Sequence, residues 1–284
     1  MKLSVVIPVY NEAEVLEELT RRARAAALAC GVNAEVLVVD DASTDATAAM
    51  AGRLSDGVVR FVRLAENRGQ TGATLEGVAR ARGRVVVVLD GDLQDPPEVI
   101  PALYAALRDD PVAAVAYAVK RERREDVPAR AAFALYHGLQ RAFGACDVPL
   151  GAGSFCAFRA RARHALLDGP RSRANLATLL ARQGMASVSV SYTKERRAAG
   201  DSRVGARGLC REALDSLAAT GALANGARAA AVAWTAASSL LAPHAWLGHS
   251  VLAASLCGVA SVALASAYER RVAPGRAAGA VRAR

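Results

Sequence analysis

The stretch "DGDLQDPPE" places four acidic side chains within nine residues, directly after the apolar run "VVVVL". Asp90 and Asp92 flank Gly91, so their carboxylates can converge where a strand ends, and the missing side chain of Gly91 would let a ligand approach the backbone. Carboxylate ligands, with Gln94 as a neutral oxygen ligand, suit Mg²⁺ or Mn²⁺ bound to a diphosphate. The alternative is a capped turn with solvated acids.

A second acidic pair, Asp40 and Asp41, follows the apolar run "EVLVV". Such a pair could accept hydrogen bonds from a ribose or a base, and we expect Asp41 rather than Asp40 to face the ligand. The alternative is helix capping together with Ser43 and Asp45.

The elements that must position these acids alternate in type along the first half of the chain. Short β-branched runs alternate with helical segments, which predicts βαβ units around a parallel sheet buried on both faces. The predicted strands are "LSVVIPV", "EVLVVD", "VVRFVRL" and "RVVVVLD", and the predicted helices are 12–30, 44–54 and 70–82. Ligands bind at the carboxyl edge of such sheets, where the sequence places "PVYNE", "VDDAST", "ENRGQTGA" and "DGDLQD".

Weaker patterns predict the elements that come next. Asp95, the two prolines and Glu98 have the composition of a helix start. Beyond it we expect a strand over 112–119, a helix from Pro128 to about Phe143, a strand at "ASVSVSYT", and an amphipathic helix over 204–223.

The composition changes beyond Arg228, because Ala229 to Tyr268 contains no charged residue. Forty such residues are about twice the ~20 needed to cross a bilayer, and Pro243 with Gly248 supplies a turn. Basic residues flank the stretch on both sides, which predicts a helical hairpin with both ends in the cytoplasm. The alternative is a soluble, Ala-rich helical pair used for packing or for homo-oligomer assembly.

Several classes of function are disfavoured. The net charge of +9 indicates an anionic partner, but much of the excess brackets the uncharged stretch, which favours a membrane surface over nucleic acid. No GxGxxG follows the first strand and no Walker A loop is present. The five cysteines and four histidines show no metal spacing, and the cysteines no disulfide framework. The N-terminal run reaches a proline too early for a signal peptide.

The motifs "VVIPVYNE", "VDDASTD", "NRGQTGA" and "DGDLQDPPE", in this order and spacing, resemble those of family 2 glycosyltransferases of the GT-A fold. Within that family the chain is most similar to polyprenyl-phosphate glycosyltransferases, the dolichyl-phosphate mannose synthase group and its undecaprenyl-phosphate relatives. "RRAAGDSRV" resembles their Arg-x-x-Gly-Glu-Ser-Lys element, with Asp201 and Arg203 as substitutions. The expected fold is therefore α/β, with a GT-A (Rossmann-like) catalytic domain and a mostly parallel sheet, followed by a C-terminal transmembrane hairpin.

The resemblance implies roles for individual residues. The nucleotide pocket would be formed by Pro8, Tyr10, Glu12, Val39 and Asp41, joined at the diphosphate by Asp90 and Gly91. The metal ligands would be Asp90, Asp92 and Gln94, and the arginines on the acceptor phosphate or leaving diphosphate would be Arg124, Arg130 and Arg203. For each of these arginines the alternative is a solvated or lipid-facing surface.

One departure from the resemblance concerns the acceptor. Relatives usually carry an Asp in the stretch that corresponds to "GAGSFCAFR", where this chain has Gly151, Ala152, Gly153 and Ser154, with Asp147 the nearest acid. The activity implied is transfer of a sugar, with inversion and with Mg²⁺ or Mn²⁺, from a nucleotide sugar to polyprenyl phosphate for cell-envelope glycan or lipid modification. The alternatives are a polysaccharide or lipid head-group acceptor, or a catalytically silent membrane adaptor that binds nucleotide sugar.

The organisation implied has four parts and a membrane location. The GT-A domain would span 1–203, an amphipathic interfacial helix 204–226, a two-helix hairpin 227–268 and a basic cytoplasmic tail 269–284. The hairpin would hold the catalytic domain on the cytoplasmic side of the bacterial inner membrane, where basic residues reach anionic lipids.

Overall fold

The computed structural model of the chain describes residues 2–121, 138, 142, 148–169, 174–195, 215, 217–218, 221–241 and 261–268. The chain divides into two compact units. The first comprises Met1–Arg124, Val148–Gly169 and Asn175–Gly205, and the second comprises Glu125–Asp147, Pro170–Ala174 and Ala206–Arg284.

The first unit is an α/β fold, as the alternation of strand and helix patterns predicts. Its strands are β1 (Leu3–Val9), β2 (Ala34–Asp40), β3 (Val59–Arg63), β4 (Val85–Val88), β5 (Val115–Lys120), β6 (Ala152–Arg159) and β7 (Ser187–Tyr192). Its helices are α1 (Leu16–Ala29), α2 (Thr47–Leu54), α3 (Gly69–Arg80), α4 (Ile100–Asp109), α5 (Ala160–Asp168) and α6 (Leu176–Ala181), with a short 3-10 helix at Pro97–Val99 before α4.

The seven strands form one sheet in the order β3-β2-β1-β4-β6-β5-β7. β1 pairs in parallel with β2 and β4, β2 with β3, and β5 with β7, whereas β6 lies antiparallel between β4 and β5. The predicted mostly parallel sheet is therefore confirmed. The antiparallel strand β6 carries the "GAGSFCAFR" segment into the centre of the sheet, next to the strand that precedes Asp90.

The apolar runs form the strands at the centre of the sheet, which are buried. Every residue of β1, β2 and β4 is buried, as expected for strands covered by helices on both faces. Helix α1 turns Leu16, Leu19 and Ala23 into this core. β1 pairs with β2 from Leu3 opposite Ala34 to Val9 opposite Asp40, so the carboxyl ends of the two strands lie side by side.

In the second unit, α7 spans Ala222–Leu241, and residues 261–268 are also helical. Helix α7 crosses the boundary that the sequence predicted between an interfacial helix and a hairpin at 226–227. No helix in the described part of the chain has both the length and the apolar character needed to cross a membrane. Most of the predicted helix from Pro128, of the predicted helix 204–223 and of the second hairpin arm lies outside the described residues.

Candidate functional site

Strained backbone marks the carboxyl edge of the sheet. Three non-glycine residues have positive φ: Asn11 (54°) after β1, Ala42 (59°) after β2 and Leu93 (58°) after β4. Positive φ costs free energy in residues other than glycine and clusters at functional sites. Here all three follow neighbouring strands at the edge where the sequence predicts a ligand.

The turns after β1 and β2 are held together by side chains. The Asn11 Oδ1 accepts hydrogen bonds from the backbone N–H of Thr44 at 2.7 Å and of Asp45 at 3.3 Å, and the Asn11 N–H donates to the Ser43 Oγ at 2.9 Å. The Glu12 N–H donates to the Thr47 Oγ1 at 3.0 Å. These bonds position the predicted pocket residues of the first turn, where Tyr10 is 38% exposed and Glu12 is partly buried.

The two adjacent acids after β2 have different partners. Asp40 accepts from the backbone N–H of Ser43 at 2.9 Å, which is the turn-capping role that the sequence left open for it. The Asp41 Oδ1 accepts from the backbone N–H of Arg68 at 2.7 Å. Asp41 therefore joins the turn after β2 to the start of α3, and both acids are buried.

The segment Asp90–Asp95, here called the carboxylate loop, lies beside α3 and β6. The Gln70 Nε2 donates to the Asp90 Oδ1 at 2.7 Å and lies 3.5 Å from the Ser154 Oγ. Within the loop, the Gln94 N–H donates to the Asp92 Oδ1 at 3.1 Å. The structure thus joins "NRGQTG", "DGDLQD" and the start of β6 in one place, although the sequence singled out no role for Gln70.

The predicted helix start is confirmed by the 3-10 helix at Pro97–Val99, but Asp95 and Gly91 have other contacts than the sequence suggested. Asp95 makes no cap bond to the helix that follows; it is buried and accepts a hydrogen bond from the Tyr192 hydroxyl at 2.5 Å. The space beside Gly91 is filled by the protein itself, since a Cβ there would lie 2.9 Å from the Pro8 carbonyl oxygen and 2.9 Å from the Val9 Cγ1. Gly91 is thus explained by close packing of the loop on β1.

The surroundings of Asp90 disfavour its negative charge, so a cation bound beside it would be stabilising. Burial raises the pKa of Asp90 to about 7, the carboxylates of Asp95 and Asp92 add to the increase, and the charge of Lys120 and the Gln70 hydrogen bond oppose it. Three carboxylates in one partly buried loop repel each other unless positive charge lies among them.

The residues present fit a divalent cation shared with a substrate. In the described part of the chain, no three His, Cys, Asp or Glu side chains are arranged as a metal site. Mg²⁺, however, is usually held by one or two carboxylates together with substrate phosphates rather than by a cage of protein ligands. Asp90 and Asp92 meet that smaller requirement.

Two lysines that sequence reasoning missed lie near the loop. The charge of Lys120, at the end of β5, acts on Asp90. Lys194, two residues beyond β7, has a pKa lowered first by desolvation and then by the charge of Lys120, while Asp95, Asp92 and Asp90 act in the opposite direction. The sequence assigned no role to either lysine, because it is the pairing of β5 with β7 that brings them together.

The structure describes some of the predicted site residues and not others. Pro8 and Val39 are buried in β1 and β2, where they are register partners, and Asp41, Asp90, Asp92 and Gln94 lie at the same edge of the sheet. Arg124, Arg130, Arg203 and Asp147 lie outside the described residues, so their roles stay predictions.

Comparison with known proteins supports a family assignment. The model of "Glycosyl transferase family 2" matches residues 4–167, which include all but the first residue of β1, all of β2 to β6, and the carboxylate loop.

Named relatives match part of the chain. A dolichol-phosphate mannosyltransferase of Pyrococcus furiosus is 46% identical over 110 residues, which are 38% of this chain and 31% of that protein. An undecaprenyl-phosphate 4-deoxy-4-formamido-L-arabinose transferase of Klebsiella pneumoniae is 38% identical over 167 residues, or 57% of this chain and 49% of that protein. The matched part of the chain thus spans half or less of these relatives.

Solved structures share the fold. Glucosyl-3-phosphoglycerate synthase of Mycobacterium tuberculosis aligns with 78% of this chain and 80% of its own at a TM-score of 0.57 and 20% identity. A mannosyltransferase of Pyrobaculum calidifontis aligns with 98% of this chain and 76% of its own at a TM-score of 0.51 and 21% identity. At these identities the likeness establishes a common fold.

Proposed function

The chain belongs to glycosyl transferase family 2, and we propose that it is an enzyme that moves a sugar from a nucleotide diphosphate to polyprenyl phosphate. One observation carries the proposal: the carboxylate loop lies at the carboxyl edge of the sheet with Lys120 and Lys194 near it. That arrangement suits a divalent cation and phosphate groups together. The acceptor is taken from the names of the relatives, which are dolichol-phosphate and undecaprenyl-phosphate transferases.

On the donor side, the turns at the carboxyl edge of the sheet would bind different parts of the nucleotide sugar. The turns after β1 and β2, with Tyr10, Glu12 and Asp41, would surround the nucleoside. Asp90 and Asp92, with Gln94, would hold Mg²⁺ or Mn²⁺, and the bound ion would neutralise the charge that develops on the leaving diphosphate. Gln70 orients the Asp90 carboxylate by donating to it at 2.7 Å.

The chemistry on the acceptor side needs positioning more than a strong base. A phosphate monoester with a second pKa of about 6 is already mostly ionised at neutral pH. Its oxygen forms the new bond to the anomeric carbon on the face opposite the leaving diphosphate, whose bond to that carbon breaks, so the configuration inverts. The protein must hold two anionic groups in line, and cationic side chains offset their repulsion.

A different acceptor is favoured by one observation. The segment in which relatives usually carry an acid begins β6, and here Ser154 approaches Gln70 beside Asp90. The altered residues therefore lie at the site rather than far from it. A family 2 transferase that uses a polysaccharide or a lipid head group is the second candidate.

Membrane attachment completes the proposal. The uncharged stretch Ala229–Tyr268, flanked by basic residues, would form the hairpin that holds the site at the inner face of the bacterial cytoplasmic membrane. The described helix α7 contains the first part of this stretch. This location would bring the site to a lipid-linked phosphate.

Membranes that contain the protein, undecaprenyl phosphate, labelled nucleotide sugars and Mg²⁺ or Mn²⁺ provide the test. We expect metal-dependent transfer of label into the lipid phase, and Asp92→Asn should reduce it by at least about 10³-fold while the variant stays in the membrane fraction. Glu14→Asn, on the exposed start of the segment before α1, is the control. Label that enters polysaccharide would favour the second acceptor, and nucleotide binding without transfer to any acceptor would indicate an adaptor.

A further inference from the structure

Lysine is rare in this chain, and its placement is informative. Of the 36 basic residues only Lys2, Lys120 and Lys194 are lysines. Two of these three act electrostatically on the carboxylate loop, and on each other. A lysine ammonium is a compact point charge with three rotatable donors and is a common phosphate-binding group.

The Arg22 side chain connects a residue that follows the carboxylate loop with the residue that follows Lys194. Its guanidinium donates to Glu98 at 2.9 and 2.6 Å, and to Glu195 at 3.1 and 2.9 Å. The Arg22 side chain is only 17% exposed, although both glutamates are largely exposed. Glu98 follows the carboxylate loop and Glu195 follows Lys194, so a single arginine on α1 fastens both.

Two more bonds tie the same segments together. The Glu195 N–H donates to the Gln94 carbonyl oxygen at 2.8 Å, and the Tyr192 hydroxyl donates to Asp95 at 2.5 Å. Lys194 is thus held against the carboxylate loop by the residue after it and by the residue two positions before it. We call this set of contacts the Arg22 clamp.

Packing does not explain why the clamp holds this lysine here. Lys194 as a whole residue is exposed, although its ammonium group is partly desolvated, so its side chain is not part of the core. Its position near Lys120 is unfavourable by itself, because two ammonium groups repel. The carboxylates of Asp95, Asp92 and Asp90 offset part of this repulsion, and a bound phosphate group would add anionic oxygens that attract both lysines.

We propose that Lys194 binds a phosphate oxyanion of a substrate and that Arg22 is the positioning residue that holds Lys194 at the carboxylate loop. The proposal rests on the proposed function, because the donor's diphosphate and the acceptor's phosphate both present this chemistry.

The scarcity of lysine permits a direct test by amine labelling of the full-length protein, read for each lysine by mass spectrometry. The probes are UDP or GDP with Mn²⁺ for the donor and undecaprenyl phosphate for the acceptor. We expect one class of probe to slow the labelling of Lys194 several-fold while Lys2 is unchanged, and the protecting probe identifies the source of the phosphate. Unchanged Lys194 labelling with a probe that calorimetry shows to be bound would overturn this proposal alone. Absence of binding by every probe would overturn the proposed function as well.

Variants separate binding from a merely structural role. Lys194→Gln should raise the dissociation constant of the protecting probe about tenfold, as expected for one charge-assisted hydrogen bond, and Lys194→Arg should restore part of the affinity. Arg22→Gln should weaken the same probe and return Lys194 labelling towards its ligand-free rate. The control is Arg21→Gln, the neighbour on α1 that pairs with the exposed Glu18. An Arg22→Gln protein with a lower melting temperature but unchanged affinity would contradict the positioning role.

Discussion

At the scale of single residues, the missing side chain of Gly153 leaves space beside the Lys120 ammonium group. A Cβ at Gly153 would lie 3.8 Å from the Lys120 Nζ and would meet no other atom within 4 Å apart from its chain neighbours. An acid would therefore fit here and pair with Lys120. The glycine leaves the ammonium group without a carboxylate at this position near the start of β6.

Gly153→Asp should lower kcat/KM for sugar transfer about tenfold, because the new carboxylate competes with phosphate for Lys120. Gly153→Asn, which has nearly the same shape without the charge, is the matched control and should change kcat/KM by no more than about twofold. Both variants are compared in the membrane transfer assay at equal protein levels. A gain of activity in Gly153→Asp alone would contradict the prediction and would indicate that the acceptor requires an acid in this strand.

At the scale of elements, a buried polar cluster fixes the strands that end at the site. Glu35 of β2 is 1% exposed and accepts from the Ser4 hydroxyl at 2.6 Å, from the Arg82 N–H at 2.7 Å and from Arg60 at 2.6 Å. Ser4 also accepts from the Gly83 N–H at 2.7 Å, and Ser4 and Glu35 are register partners. One carboxylate thus links β1, β2 and β3 to the segment that enters β4.

Glu35→Gln should reduce the free energy of unfolding by about 3 kcal/mol at neutral pH, since it leaves Arg60 with a neutral partner and an incomplete set of bonds. Burial by itself raises the pKa of Glu35, but the hydrogen bonds from Ser4, Arg82 and Arg60 outweigh it and lower the pKa below its usual 4.5. Because the folded-state pKa is depressed, this stabilisation is present above about pH 4.5 and is lost as the pH falls through the folded-state value.

Denaturation followed by circular dichroism at neutral and acidic pH measures the effect. The gap between the native protein and Glu35→Gln should narrow in acid, whereas Glu14→Gln, at an exposed position, should match the native protein throughout. A gap that is constant with pH would mean that the cost of the substitution comes from packing and not from the charge.

The sequence predicted the first four strands and three helices because each is a continuous apolar or amphipathic run, and their boundaries lie within a few residues of the observed ones. β6 was missed, since "GAGSFCAFR" was interpreted only as a site segment and its run is broken by glycines and an arginine. Its antiparallel insertion between β4 and β5 depends on long-range pairing, which periodicity does not encode. For the same reason the motifs located Asp90 and Asp92, but not Tyr192 or Lys194, which only the sheet order brings to them.

At the scale of the whole molecule, charge and hydropathy are segregated along the chain. The α/β unit carries Asp90, Asp92 and the nearby lysines at one edge of its sheet, whereas 229–268 is uncharged and bordered by Arg228, Arg270 and Arg271. Surface attraction of arginines to anionic lipids is screened by salt within about 10 Å, but burial of apolar helices in a bilayer is not. The treatment that releases the protein from the membrane therefore distinguishes surface attraction from a buried hairpin.

If the stretch 227–268 forms a spanning hairpin, the full chain should stay with the membrane pellet through washes with concentrated salt and alkaline carbonate, and detergent alone should release it. Arg270→Gln with Arg271→Gln should leave this resistance unchanged, because these residues flank the apolar stretch. Replacing Leu252 and Leu256 by Asp should move the protein to the soluble fraction, since a charge at the centre of a span costs about 3 kcal/mol for each residue. Release of the native protein by salt alone would contradict the hairpin and would favour attachment through the basic surface, and recovery in the soluble fraction without any wash would favour the Ala-rich helical pair as a packing element.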